Sequence, residues 1–424
     1  MLRSYRSVGL CLFLALVAAA SSTTGTCQTL TVLHDFTGGG DGAIPAGGLT
    51  IDASGRLYGT AHIGGDISGP SCGGIGCGIV FQLTRAGSSW ALNPLHQFTG
   101  ADSDGASPTA TLVFGPDGKL YGTTLAGGSG PCSGNFSWPG CGTVFSISPP
   151  ARACERAICP WDETVLYSFT GAADGAYPGF GALALDQAGN LYGATRQGGA
   201  LGQGAVYELS RSNGAWTELT LYSFAGGGDG SMPNSGVIFD SAGNLYGTTH
   251  QGGSSGDGTV FELVPAGSGW SFRLLWTFTG GTDGRWPFGG LIFGGSGDLF
   301  GSTSSGGGAG GTIFEMTSVQ GMWTLNTIQN LEGYLTGDLA LDQAGSFYGQ
   351  TVGGGAYGNG EVFKLTSSPN NWTLLDLHDF MGSDGVEPFG DILLSNGTLY
   401  GVTEYGGPYH CQEATCGVAW ELTQ

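Results

Sequence analysis

Charge is scarce in this 424-residue sequence. Only 11% of residues are charged, and 12 Lys and Arg face 33 Asp and Glu for a net charge of −21. Such an imbalance repels nucleic-acid phosphates and anionic lipid headgroups, which disfavours DNA, RNA and membrane surfaces and leaves cations, neutral sugars or basic peptides as partners. Helical periodicity is also missing. No segment repeats apolar residues every 3.6 positions, and 85 glycines exclude helical repeats. Past the N-terminus no apolar run is long enough to span a bilayer. No Ser nucleophile elbow, phosphate loop, HExxH or paired-carboxylate signature stands out, and GxG strings mean nothing in a chain this rich in glycine. Apolar residues nevertheless make up 40%, enough for a core and too many for a disordered chain.

The N-terminus places Arg3 and Arg6 before a short apolar run and then small residues, the pattern of an export signal. Residues 1–27 are therefore expected to be removed, with cleavage between 20 and 27, leaving 28–424 as the folded unit. Cys27, in TGTC, lacks the context of a lipid-anchored Cys. Eight further cysteines fall into close pairs, Cys72/Cys77, Cys132/Cys141, Cys154/Cys159 and Cys411/Cys416, which in an exported chain read as disulfides. Zinc is disfavoured, since no His stands at finger-like spacing. A secreted, periplasmic or cell-surface monomer is expected.

An aromatic-Gly step recurs seven times: LYG at Tyr58, Tyr121, Tyr192, Tyr246 and Tyr400, LFG at Phe300 and FYG at Tyr348. The spacing averages roughly 57 residues, in the range of four-stranded propeller blades with insertions. Within each copy four short β-type runs, a to d, alternate with turns; in the fourth these are GVIFD, NLYGTT, GTVFEL and RLLWTF. The first run, LTVLHDF (30–36), is a d strand without a, b or c before it, and the last, GVAWEL (417–422), is a c strand without a d. The N-terminal strand is thus expected to complete the last blade. The fold class is all-β, a closed seven-bladed propeller, which hides the edges that would otherwise invite aggregation.

SFAGGGDGSMP, GNLYGTTHQGG and GTVFEL occur in one copy. This pattern resembles the GloVer tandem repeat of exported bacterial proteins over residues 30–424. The resemblance implies export and a propeller-like array, sometimes with a separate anchoring segment, and no assigned activity. Ending at Gln424 directly after strand c, the sequence is expected to lack that anchor. The double Gly after strand b and a Trp before strand d, such as Trp216 and Trp270, resemble kelch repeats less specifically. The Tyr, His and Cys ligands of kelch-fold copper oxidases form no recognisable set here.

In a propeller the d-to-a and b-to-c connections share one face. The d-to-a connection carries T-G-G-x-D-G-x-x-P, with Asp41, Asp104, Asp174, Asp229, Asp283 and Asp384; repeat six, NLEGYLTGD, lacks it. Each Asp is expected to cap its own turn. The rival is a ring for polar ligands or a hard cation such as Ca²⁺, with Asp102 and Asp104 the nearest approach to one. No other cofactor is expected. The position after strand b varies inside a constant frame: His62, Leu125, Arg196, His250, Ser304, Val352 and Glu404. Of these His62, Arg196, His250 and Glu404 can exchange protons or grip sugar hydroxyls. His34, His96 and His378 share one d-strand position with Tyr167, Tyr222 and Trp276, and are expected to pack. The Cys72/Cys77, Cys132/Cys141 and Cys411/Cys416 loops belong to neighbouring blades and are expected to form a wall with Phe136, Trp138, Tyr405 and Tyr409 as aromatic platforms. Cys154/Cys159 should lie on the opposite face. The leading expectation is a non-catalytic module binding carbohydrate or protein on this face; the alternative is a polysaccharide lyase or hydrolase working in the central funnel.

Overall fold

The computed structural model describes residues 28–67, 72–101, 104–132, 138–150, 160–267, 269–308, 310–369, 371–411 and 414–424. They form seven four-stranded antiparallel blades around one axis, with no α-helix among the described residues. Blade four shows the plan: Ile238–Phe239, Leu245–Thr249, Thr259–Ala266 and Gly269–Thr277 are its strands a to d, hydrogen-bonded in chain order. In blades two and three strand a is broken into two pieces. The seventh blade takes its outer strand from the chain start: Thr29–Asp35 pairs antiparallel with Val418–Thr423, Thr29 opposite Thr423.

The aromatic-Gly step has a packing cause. A Cβ at Gly247 would stand 2.6 Å from the Phe261 ring and one at Gly349 2.5 Å from Phe363, so strand b has no side chain where strand c lays its aromatic. The Tyr before it points the other way and donates its hydroxyl to the Asp of the a-to-b turn, as Tyr58 does to Asp52 at 3.0 Å and Tyr348 to Asp342 at 3.1 Å. LYG and the D-x-x-G turn are thus two ends of one contact. The c-strand aromatics Phe81, Phe145, Tyr207, Phe261, Phe314 and Trp420 are among the largest fully buried side chains.

On each strand d a bulge falls just before the His/Tyr/Trp position, as between Val260 and Phe261 in the pairing of blade four. A bulge re-aims the next side chain, and here it turns that residue onto the Asp of the d-to-a connection. The expected packing role of the histidines is therefore incomplete, because they are hydrogen-bonding partners. His34 meets Asp41 at 3.0 Å, His96 Asp104 at 3.3 Å and His378 Asp384 at 2.9 Å, while Tyr167 and Tyr222 donate to Asp174 and Asp229 at 3.0 and 2.9 Å and Trp276 to Asp283 at 3.4 Å. The same carboxylates accept turn N–H groups, for example Thr170 on Asp174 at 2.7 Å and Ala225 on Asp229 at 2.8 Å. These are turn caps. Gln329 takes the aromatic position before the connection that lacks the Asp.

Among the described residues three disulfides are formed, Cys72–Cys77, Cys132–Cys141 and Cys411–Cys416, with Cα separations of 5.4, 5.0 and 5.2 Å. Cys154 and Cys159 lie outside the described residues, as do Asp102, Phe136, Cys27 and the N-terminal segment. The two Gly-rich loop types do share a face: a Cβ at Gly38, in a d-to-a turn, would collide with Cys411 Sγ, and one at Gly171 would come 2.5 Å from Cys132 Sγ.

Candidate functional site

The residue before the proline of each d-to-a connection is held with a left-handed backbone: Ile44, Ser107, Tyr177, Met232, Trp286 and Glu387, at φ between 53° and 60°. For residues with a Cβ this region costs roughly 1–3 kcal/mol each and persists only where the surroundings impose it. The imposing contacts are visible. Each N–H donates to a b-to-c loop carbonyl of the preceding blade, as Tyr177 does to Cys141 at 2.7 Å and Trp286 to Asp257 at 2.7 Å, and the carbonyl accepts from the residue after its own strand b, as Trp286 does from Ser304 at 3.0 Å. The frame is constant while the side chains differ. In blade six Tyr334 takes this place through its pairing with Val352. Only three chain steps separate Leu331 from Tyr334 where eight separate Phe278 from Trp286, so the Asp-bearing turn is deleted.

This ring and the ring after strand b surround the propeller axis on one face, its mouth, where Trp286 and Tyr334 are exposed while Ser107, Tyr177 and Leu125 are buried. Its floor is three half-buried phenylalanines from alternate blades, Phe180, Phe288 and Phe389, with ring centroids 5.4 to 6.1 Å apart. Arg196 lies over Phe180 at 5.4 Å, and the His250 ring stands 6.1 Å from Phe288 and 6.2 Å from Trp286. Burial, opposed by a hydrogen bond between Nδ1 and the Pro287 carbonyl, lowers the His250 pKa, and the Arg196 charge lowers it further. On the seventh blade burial, then the Glu387 charge, pushes Glu404 up to about 7. Arg196 and His250 therefore share one side of the mouth, and Glu404 sits with Glu387. His62 is apart from both: Nδ1 meets Ser107 Oγ at 2.8 Å, Trp138 packs edge-on at 4.8 Å, and burial lowers its pKa to about 4, so it is neutral at pH 7.

The expected aromatic wall is rearranged. Trp138, only 7% exposed, covers His62 instead of forming an open platform, whereas Tyr409 is 48% exposed and Tyr405 half-buried. Sequence reasoning passed over the pre-proline ring, Trp286 and Glu387 included, and Tyr334, which takes the same place in blade six without a proline. The repeated x-Pro inside D-G-x-x-P was the available signal.

Below the mouth two carboxylates meet at the axis without a cationic partner among the described residues. Asp391 Oδ1 accepts the Asp338 N–H at 2.8 Å and Oδ2 the Thr111 hydroxyl at 2.6 Å, while Gly290 N–H donates to Asp338. Burial, reinforced by the Asp391 charge, pushes Asp338 well above the ordinary carboxylate range. Asp338 also borders a cavity of about 280 Å³ among the a strands of blades three to six. A larger cleft of about 630 Å³ lies on the opposite face between the a-to-b turns of blades four and five, away from these groups.

The sequence model of the Gloeobacter/Verrucomicrobia repeat matches residues 19–186 and 179–414. No curated protein matches the chain in sequence. Similar solved structures include the PQQ-bound aldose sugar dehydrogenase of Streptomyces coelicolor (11% identity, 93% of this chain and 98% of that one, TM-score 0.45). A putative glucose dehydrogenase of Thermus thermophilus shares 12% identity over 93% of this chain and 99% of that one, TM-score 0.44. The polysaccharide lyase Uly1 shares 12% over 90% and 91%, TM-score 0.47.

Proposed function

The chain belongs to the Gloeobacter/Verrucomicrobia repeat family, and on that footing we propose that it is an exported, non-catalytic binding propeller that takes a carbohydrate in the axial mouth. The observation that carries this reading is the ring of strained pre-proline residues, whose backbone is uniform and whose side chains are not. Strain maintained at six equivalent places, at four of which the side chain is not buried, points to a selected surface. The lining suits sugars: Trp286 and Tyr334, 36% and 38% exposed, offer flat faces for apolar C–H patches, while Arg196, His250 and Glu404 supply hydrogen-bonding groups over an apolar floor. Export accords with the three disulfides, with the signal-like N-terminus and with the lack of a described helix long and apolar enough to cross a membrane.

The test is calorimetry of the full mature chain against a panel of neutral and uronate-containing oligosaccharides, with Trp286→Ala and Arg196→Ala beside the wild type. Binding that weakens at least tenfold in either variant without a change in melting temperature supports the mouth. Wild-type affinity retained in both variants, or binding of a protein and no glycan, sinks it. A second reading, hydrolase or lyase, is favoured by Glu404, a carboxyl poised near neutrality beside a second Glu. Turnover of a polysaccharide by the wild type and its loss in Glu404→Gln would replace the first reading with this one.

A further inference from the structure

At the seam between the first two blades three ligand-type side chains converge from separate segments. His96, on the outer strand of blade one, Asp104, in the connection to blade two, and Glu163, on the outer strand of blade two, each place a donor atom within 4.8 Å of the other two. Asp104 is already held: Oδ2 accepts the Thr99 N–H and hydroxyl, both at 2.8 Å, and Oδ1 accepts the Gly105 N–H at 2.8 Å and faces His96 Nε2. Glu163 is not. Its Oε1 is buried with no hydrogen-bond partner among the described residues, a costly state for a carboxylate, and burial pushes its pKa up to about 7.

The repeat supplies its own comparison. The blade-one residue in register with Glu163 is Leu92, and in blade four it is Phe272, stacked on Tyr222 at 4.4 Å. Blade three keeps an acid there, Glu218, but pairs it with Tyr167 and Asp174 instead of an imidazole. Imidazole, Asp and Glu coincide at the second blade alone among these seams.

We propose that His96, Asp104 and Glu163 form a site for a divalent transition-metal ion of the zinc class, clamping the outer strands of blades one and two. One imidazole nitrogen and two carboxylate oxygens are a borderline donor set that zinc accepts with bonds of about 2.0–2.2 Å, which sets neighbouring donors about 3–4 Å apart. Rotation of the Glu163 side chain closes the remaining distance and gives Oε1 its partner. Ca²⁺ wants six to eight oxygens, more than this trio provides. The all-carboxylate group Glu361, Asp376 and Asp379 in blade six is the better match to that ion and serves as the internal control.

The experiment uses the full mature chain, stripped with chelator. Zn²⁺, Mn²⁺ or Ca²⁺ is titrated by calorimetry while melting temperature is followed. Two variants copy residues found at these positions in other blades, His96→Tyr and Glu163→Leu, so the outer strands keep accepted side chains. One Zn²⁺ per chain, a melting temperature raised by several degrees, and loss of at least tenfold in affinity in each variant are expected. No Zn²⁺ binding by the wild type, Zn²⁺ affinity unchanged in both variants, or a response to Ca²⁺ alone would overturn the site.

Discussion

The His378 imidazole lies 2.9 Å from the Asp384 carboxylate, across the turn that joins blades six and seven. Burial by itself would raise the Asp384 pKa, but the His378 bond and the Met381 N–H hold it below the ordinary range. A depressed folded-state pKa contributes stability that is present above the unfolded value near 3.8 and is lost as pH falls through the folded value. His378→Phe should therefore cost about 1–3 kcal/mol at neutral pH and move acid unfolding to higher pH. His378→Tyr, the arrangement at Asp174 and Asp229, should recover most of it. Urea titrations from pH 2 to 7 decide, and equal stability of the Phe and Tyr variants would refute the role of the bond.

Asp338 has the opposite sign. Its folded pKa is raised by burial and by Asp391, so the stability linked to it is complete below the unfolded value near 3.8 and drains away as pH rises toward the folded value. Asp338→Asn should melt higher than the wild type at pH 9, with the gap closing toward pH 5. Calorimetric melts across that range measure it, and a gap that widens toward acid would contradict the assignment.

The glycine of the aromatic-Gly step tolerates no methyl. Gly247→Ala would push a Cβ to 2.6 Å from Phe261, an overpacking that should cost about 1–3 kcal/mol or more. The same change at Gly243, where nothing stands within 4 Å but φ is 86°, should cost only the smaller strain of a left-handed alanine. Denaturant midpoints for the two variants should rank in that order.

Reduction of Cys411–Cys416, which closes a five-residue separation, should lower global stability by about 2 kcal/mol. Its local effect should be larger. Amide exchange should rise at Gly38 and its turn, which pack against the Cys411 sulfur. Unchanged exchange there would detach the disulfide from the mouth.

The ring was legible in the sequence because each blade repeats what its own packing requires: a bare glycine under a c-strand ring, and an Asp under the preceding Tyr. Three of the four expected disulfides and the borrowed first strand were legible for the same reason, being local in pairing or forced by count, while the Cys154/Cys159 pair lies outside the described residues. The mouth was less so. The sign of φ at Ile44 or Trp286 is not written in residue type, since non-glycine residues there look like ordinary loop positions. Asp338 and Asp391 were invisible because the axial position is Gly48, Gly236 or Gly290 in other blades, and only the closed ring brings the two acids together. Trp138 reads as a surface aromatic in its loop and becomes a cover only once His62 arrives from the neighbouring blade.

The borrowed strand also fixes an order of events. Thr423 bonds the Thr29 carbonyl across 394 positions of sequence, so the last blade is finished only after everything between has been made. Until then the edge of Val418–Thr423 is an open template, and the first strand of another copy carries the same complement. Refolding at high concentration thus sets closure on itself against exchange between copies, and the product of exchange is a dimer in which each ring is latched by its neighbour.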